Sequence, residues 1–288
     1  MMRISFLITI LVVIFGLSIG CASTPQELKG SIQIKGSDTM VNLAQAWAEA
    51  FTKKYPNVNI AVTGGGSGTG IASMISGTCD IAISSRTMKE KEISQAKAKG
   101  VEPVEHIVAR DGIAVVVHPS NPVKNLTIEE LRAIFIGERK NWKEVGGKDA
   151  KIVILSREVN SGTHVFFKEH ILRRGIEKGP EEFAPTALLM PSSQAIADEV
   201  AQNSNAIGYY GMGYISPEQK VIAVSKDKAL PYLEPTTEAV KKGEYPIARP
   251  LFIYTKGAPQ GAIAAFMDFV FSQDGQKIVR DIDFVPIK

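Results

Sequence analysis

Three times along this chain a strand-like apolar run ends in a short turn of Gly, Ser and Thr, and a helix-like run begins directly after it. The turns are Gly36-Ser37-Asp38-Thr39, Gly64-Gly65-Gly66-Ser67-Gly68-Thr69-Gly70 and Asn160-Ser161-Gly162-Thr163. A repeated strand, turn and helix implies an α/β fold, and in an open α/β sheet such turns lie together beyond the carboxyl ends of the strands. The first turn of each helix carries free backbone N–H groups and a partial positive charge, while glycine lets an anion approach the main chain. Each junction is therefore a candidate oxyanion cradle. Hydroxyls at Thr39, Ser67, Ser161 and Thr163 can add donors, and Arg157, just upstream of Ser161, can add a bidentate guanidinium fork. Taken singly, each turn is better explained by plain helix capping and turn sterics, and it is the three together with an arginine that point to an anion. The 64–70 turn has neither the Lys-Ser or Lys-Thr of a P-loop nor the glycine spacing of G-x-G-x-x-G.

The periodicity between the turns fits the same class. Strands are expected at 31–35, 58–62, 80–84, 112–117, 152–155, 206–210 and 251–254. Helices are expected at 41–55 (ended by Pro56), 71–76, 89–99, 126–135, 163–174, 194–202 and 260–271, the last closing the fold, with a polar loop at 138–151. Residues 112–117 form a very apolar strand where the chain can cross into a second lobe. The expected division is residues 29–111 plus 247–288 for lobe 1 and 112–246 for lobe 2, with a cleft between them. Trp47 and Trp142 read as packing residues, as do Tyr209, Tyr210 and Tyr214, and His164 reads as a surface residue of a first helical turn.

Composition bounds the partners. The chain has 288 residues, 44% hydrophobic and 22% charged, with a formal charge of +3 and no run of five like charges. This excludes a multi-span membrane protein and gives no electrostatic footprint for nucleic acid. Arg3 followed by a nearly continuous apolar run over 6–19 reads as an export signal, residues 1–20, too short for a spanning helix of about 20 apolar residues. Ser18-Ile19-Gly20-Cys21 resembles a bacterial lipobox, with Leu17 four places before the cysteine instead of three. Cys21 is thus the expected lipid-attachment site, against ordinary cleavage or a retained anchor. Cys79 is then left without a disulfide partner, and the four histidines never fall at the i, i+4 spacing of a metal pair, so neither metal nor cofactor is expected.

Several motifs together resemble a known family. Lys35-Gly36-Ser37-Asp38-Thr39, the 64–70 turn, Cys79 through Ser84-Ser85-Arg86, Ile136-Gly137 with Asn141-Trp142-Lys143, Arg157 through Ser161-Gly162-Thr163, and Arg249-Pro250-Leu251-Phe252-Ile253-Tyr254 are similar, in order, to the motifs of the phosphate-binding proteins of ABC-type importers. The resemblance implies a two-lobed α/β fold of the type II periplasmic binding protein kind, each lobe a mixed sheet flanked by helices, hinged around a central cleft. It implies an extracytoplasmic monomer that captures inorganic phosphate and delivers it to a membrane permease. By motif match, Ser37, Thr39, the backbone at Met40, Ser67 and Ser85 would bind phosphate from the first lobe. Arg157, Ser161, Gly162 and Thr163 would bind it from the second.

Many relatives carry an aspartate where this chain has Ser85. There the carboxylate accepts the proton of monohydrogen phosphate, which sulfate lacks. Asp38 is the expected substitute acceptor, against a role as helix N-cap. Arg86 is either a further anion ligand or a surface ion-pair residue. Three competing readings remain: a binding protein for sulfate, molybdate or a phosphonate, a hydrolase using Ser67 or Ser161, and a lipoprotein that regulates a partner without transport. The hydrolase is disfavoured because the sequence sets no general base beside either hydroxyl.

Overall fold

The computed structural model describes residues 28–176 and 178–287; the export segment 1–20 and Cys21 lie outside them. Strand β1 (Gly30–Gly36) leads through a 3₁₀ turn at Asp38–Met40 into α1 (Val41–Lys54), which stops one residue before Tyr55-Pro56. Strand β2 (Val58–Thr63), α2 (Ser67–Ile75), β3 (Ile81–Ser84) and α3 (Glu90–Ala98) follow. The chain then runs through the long strand β4 (Pro103–Val117), β5 (Asn125–Thr127), α4 (Ile128–Phe135), β6 (Val153–Arg157) and α5 (Gly162–Phe167). Next come β7 (Leu188–Met190), α6 (Ser193–Gln202), β8 (Ala206–Gly211), β9 (Lys220–Ser225) and α7 (Thr237–Lys241). It closes with β10 (Ala248–Lys256), α8 (Gly261–Phe271) and α9 (Gln273–Asp281).

The architecture is a two-lobed α/β fold built on a mixed sheet. Strand β1 pairs in parallel with β2 and β3, β10 runs antiparallel to β3, and β6 pairs in parallel with β7 and β8. Strand β4 joins the two halves: residues 103–112 pair with β10, and residues 113–117 pair with β8 and β9. The apolar stripe of α1 buries Leu43, Ala44, Trp47 and Phe51, and the Trp47 indole N–H donates to the Gly275 carbonyl at 2.8 Å. In the second half Phe135, Phe167 and Tyr209 pack together, the Phe167 and Tyr209 rings stacked at 3.9 Å. Trp142 is buried as well, so both tryptophans are packing residues.

Several boundaries differ from the expectations. Strand β4 begins at Pro103, because its charged first half is a partner for β10 and follows no apolar alternation of its own. Helix α2 starts at Ser67 rather than Ile71, and the helix expected over 163–174 starts at Gly162 and widens into a π turn at Lys168–Leu172. The helix expected from 126 is instead β5 followed by α4, whose start is fixed by a capping box between Thr127 and Glu130. The polar loop contains a short 3₁₀ turn at Trp142–Val145. Helix α9 follows α8, so α8 does not close the fold. Among the described residues no helix is long and apolar enough to cross a membrane.

Candidate functional site

Four strand ends meet at one place. The carboxyl end of β1 delivers Ser37, Asp38 and Thr39; β2 leads into the 64–70 turn and Ser67; β3 ends just before Ser85. From the other half, β6 ends at Arg157, and Ser161 caps α5 by accepting from the Thr163 N–H at 3.2 Å and the His164 N–H at 3.4 Å. The parallel pairing of β1, β2 and β3 puts their three ends on one side of the sheet, which is the physical reason the turns converge.

The hydroxyls form a contiguous group. Ser37 donates to Ser85 Oγ at 2.9 Å, the Ser85 N–H donates to Ser67 Oγ at 3.0 Å, and Thr39 Oγ1 lies 2.8 Å from Thr163 Oγ1 across the two halves. All five, with Ser161, are buried. A side chain at Gly162 would collide with Ser67 Oγ and Ser85 Oγ, so only glycine lets the second wall come this close to the first. Met40 is buried, and its N–H donates to the Ser37 carbonyl at 3.0 Å.

Arg157 faces inward, 1% exposed. Its Nη2 donates to Asp38 Oδ2 at 2.8 Å from the opposite wall and to the Pro191 carbonyl at 3.0 Å, while Nη1 donates to Ser193 Oγ at 3.2 Å. Asp38 is no helix cap: its other oxygen, Oδ1, accepts from the Gly65 N–H at 2.9 Å, so the carboxylate ties the arginine to the 64–70 turn. The Tyr214 hydroxyl donates to the Asp38 carbonyl at 2.6 Å, and burial pushes that phenol up to about 12.

Arg249 and Asp111, which the sequence marks with no binding role, belong to this cluster as well. Arg249, on β10, and Asp111, on β4, form a buried ion pair in which Nε and Nη2 donate to Oδ2 at 3.0 and 2.8 Å. Arg249 Nη2 also donates to Thr163 Oγ1 at 3.0 Å and Thr39 Oγ1 at 3.4 Å, and Nη1 to the Ser85 carbonyl at 3.0 Å. It therefore touches both walls. Burial raises the Asp111 carboxyl and lowers the Arg249 guanidinium, and their mutual attraction opposes both shifts. The signal was a charged residue set in an apolar run, Arg249 before Pro-Leu-Phe-Ile-Tyr and Asp111 before Gly-Ile-Ala-Val-Val-Val.

Other candidates resolve differently. His164 is 4% exposed, not on the surface as expected, because α5 turns it beneath Phe183 and toward Ser156 Oγ. Burial, with Lys168 nearby, pushes its imidazole down to about 4. Arg86 is buried, not a surface residue, and its two terminal nitrogens are held in a two-pronged ion pair by Glu92 at 2.8 and 2.7 Å. Tyr209 packs in the core with its hydroxyl 2.8 Å from Ser156 Oγ. Cys79 is a buried free thiol that burial pushes up to about 11. Among the described residues no cluster of His, Cys, Asp or Glu could hold a metal ion. Buried hydroxyl and guanidinium donors, with both nearby carboxylates already paired, suit the recognition of a compact oxygen-rich anion.

Comparison with known proteins bears directly on this arrangement. A PBP superfamily domain matches residues 22–274. The phosphate-binding protein PstS of Bacillus subtilis is 38% identical over 267 residues, covering 92% of this chain and 84% of that one. The chain belongs to the PstS family of the PBP superfamily. A second PstS, from Pseudomonas aeruginosa, is 33% identical over 277 residues, covering 90% of this chain and 84% of its own. Among solved structures, an ABC transporter substrate-binding protein from Clostridium perfringens with bound phosphate superposes with a TM-score of 0.80 at 34% identity. The match covers 90% of this chain and all of that one. The PstS-like chain thus shares the fold of a phosphate-bound relative along nearly its whole described length.

Proposed function

We propose that this protein is the solute-binding component of an ABC phosphate importer, and not an enzyme: it captures inorganic phosphate between its two lobes and presents it to a membrane permease. The observation that carries this reading is the meeting of Arg157 from one wall with Asp38 and the Ser37, Thr39, Ser67 and Ser85 hydroxyls of the other. Arg157, Ser161, Gly162 and Thr163 bind the anion from lobe 2; Ser37, Asp38, Thr39, Met40, Ser67 and Ser85 bind it from lobe 1. Because contacts come from both walls, the ligand favours the closed arrangement only through interactions an open one lacks, and binding and closure become one event.

The lobe boundary falls between residues 111 and 112 and again between 246 and 247, a reading supported by the change of β4 partners after residue 112. The protein works outside the cytoplasm as a monomer, exported by segment 1–20 and held at the membrane through lipid on Cys21.

Isothermal titration of the mature protein with phosphate, repeated with sulfate, tests the proposal. Saturable one-site binding of phosphate, tighter than that of sulfate and without turnover of an aryl phosphate, is expected. Tighter binding of sulfate would assign the site to another oxyanion, and steady release of phosphate from the ester would make the protein a hydrolase.

A further inference from the structure

Asn160 lies just before the anion-facing Ser161, and nothing in the phosphate-binding arrangement uses its side chain. Its bonds all go elsewhere. The Asn160 Nδ2 donates to the Gly65 carbonyl at 2.8 Å and to Thr69 Oγ1 at 3.2 Å, and the Asn160 carbonyl accepts from the Gly68 N–H at 3.0 Å. One residue of the second half thus makes three hydrogen bonds to the 64–70 turn of the first, and none of them involves the buried hydroxyl group.

The turn is shaped for this approach. Gly66 has φ +90°, and a Cβ on it would lie 2.8 Å from the Asn160 carbonyl oxygen and 3.2 Å from its Cγ. A side chain there would be strained by the backbone and would also push Asn160 away. The glycines of this turn therefore leave room for Asn160 as well as for an anion. The arrangement also explains the first turn of α2: Gly68, an N-terminal amide with no acceptor inside its own helix, is satisfied by a carbonyl from the opposite half.

We infer that Asn160 is a positioning residue for ligand retention, a clasp across the mouth of the cleft that sets how long the closed form lasts. This rests on the two-lobed phosphate-binding reading. The clasp bonds exist only when the walls are together, so they contribute to the barrier for opening and leave the first encounter of anion with the open protein unchanged. Its loss should appear in the dissociation rate and not in the association rate.

Stopped-flow phosphate binding and release with the mature protein tests this, using Asn160→Ala, Thr69→Val and the double variant. Thr69 is exposed and, among the described residues, its hydroxyl bonds only Asn160, so the valine variant removes one clasp bond from the far wall with little effect on folding. The expected result is dissociation about tenfold faster for Asn160→Ala and a few-fold faster for Thr69→Val, with association within about twofold of the parent. In the double variant the Thr69 change should add nothing further, because its partner is already gone. Asn160→Asp, which cannot donate to the Gly65 carbonyl, should release phosphate at least as fast as the alanine variant. Unchanged release rates in Asn160→Ala and Thr69→Val, or strictly additive effects in the double variant, would overturn the clasp. A parent protein that fails to bind phosphate at all would instead overturn the functional reading beneath it.

Discussion

Asp38 is the residue whose role changes most between sequence and structure. It can be read from the sequence as a cap or as a proton acceptor; in the fold it spans the cleft, with one oxygen on Arg157 and the other on the Gly65 amide. Each carboxylate oxygen has a second lone pair, so Asp38 can still receive the proton of monohydrogen phosphate while paired with the arginine. Asp38→Asn puts an amide donor where an acceptor is needed and leaves the Arg157 charge without its counter-ion. It is expected to narrow the preference for phosphate over sulfate by about tenfold or more, read by competition titration. A preference equal to that of the parent would rule Asp38 out as the discriminating acceptor. Arg157, Ser161 and Thr163 could be found from local sequence alone because a strand end followed by Ser-Gly-Thr is a contiguous pattern. Asp111 and Arg249 show there only as single charges beside apolar runs, because their pairing joins residues far apart in the chain through a buried contact.

At the scale of elements, β4 and β10 are where local pattern and structure diverge. Residues 103–111 carry Glu105, His106, Arg110 and Asp111 and lack a clean apolar alternation, yet they form a ladder with 256–249. The strand exists because its partner's hydrogen-bonding groups must be paired, a tertiary requirement that outweighs local composition. The Arg249–Asp111 pair lies between these two strands. Asp111→Ala would leave a buried guanidinium without its counter-charge, and the expected loss of folding stability is about 3–5 kcal/mol, measured by urea denaturation. The double variant Asp111→Ala/Arg249→Met should recover much of that stability while still binding phosphate more weakly, because the donors to Thr39 and Thr163 go with the arginine. Equal stability of the single and double variants would mean that the charge is not the cause.

For the whole molecule, the buried His164 makes stability depend on pH. Its folded pKa of about 4 lies below the ordinary value of 6.5, because burial disfavours the charged ring. The contribution of the neutral ring is complete above about pH 6.5 and is lost as pH falls toward 4, amounting to about 3 kcal/mol in all. Thermal melts from pH 7 to pH 4 should show a decline that is shallower in His164→Phe; the same decline in both proteins would assign it to other groups. A different consequence comes from β4, which carries hydrogen-bond ladders of both halves on one unbroken backbone. That shared girder couples the two sheets, so denaturation is expected as a single cooperative transition, with fluorescence and circular dichroism giving one urea midpoint. Two separate midpoints would show that the halves come apart independently.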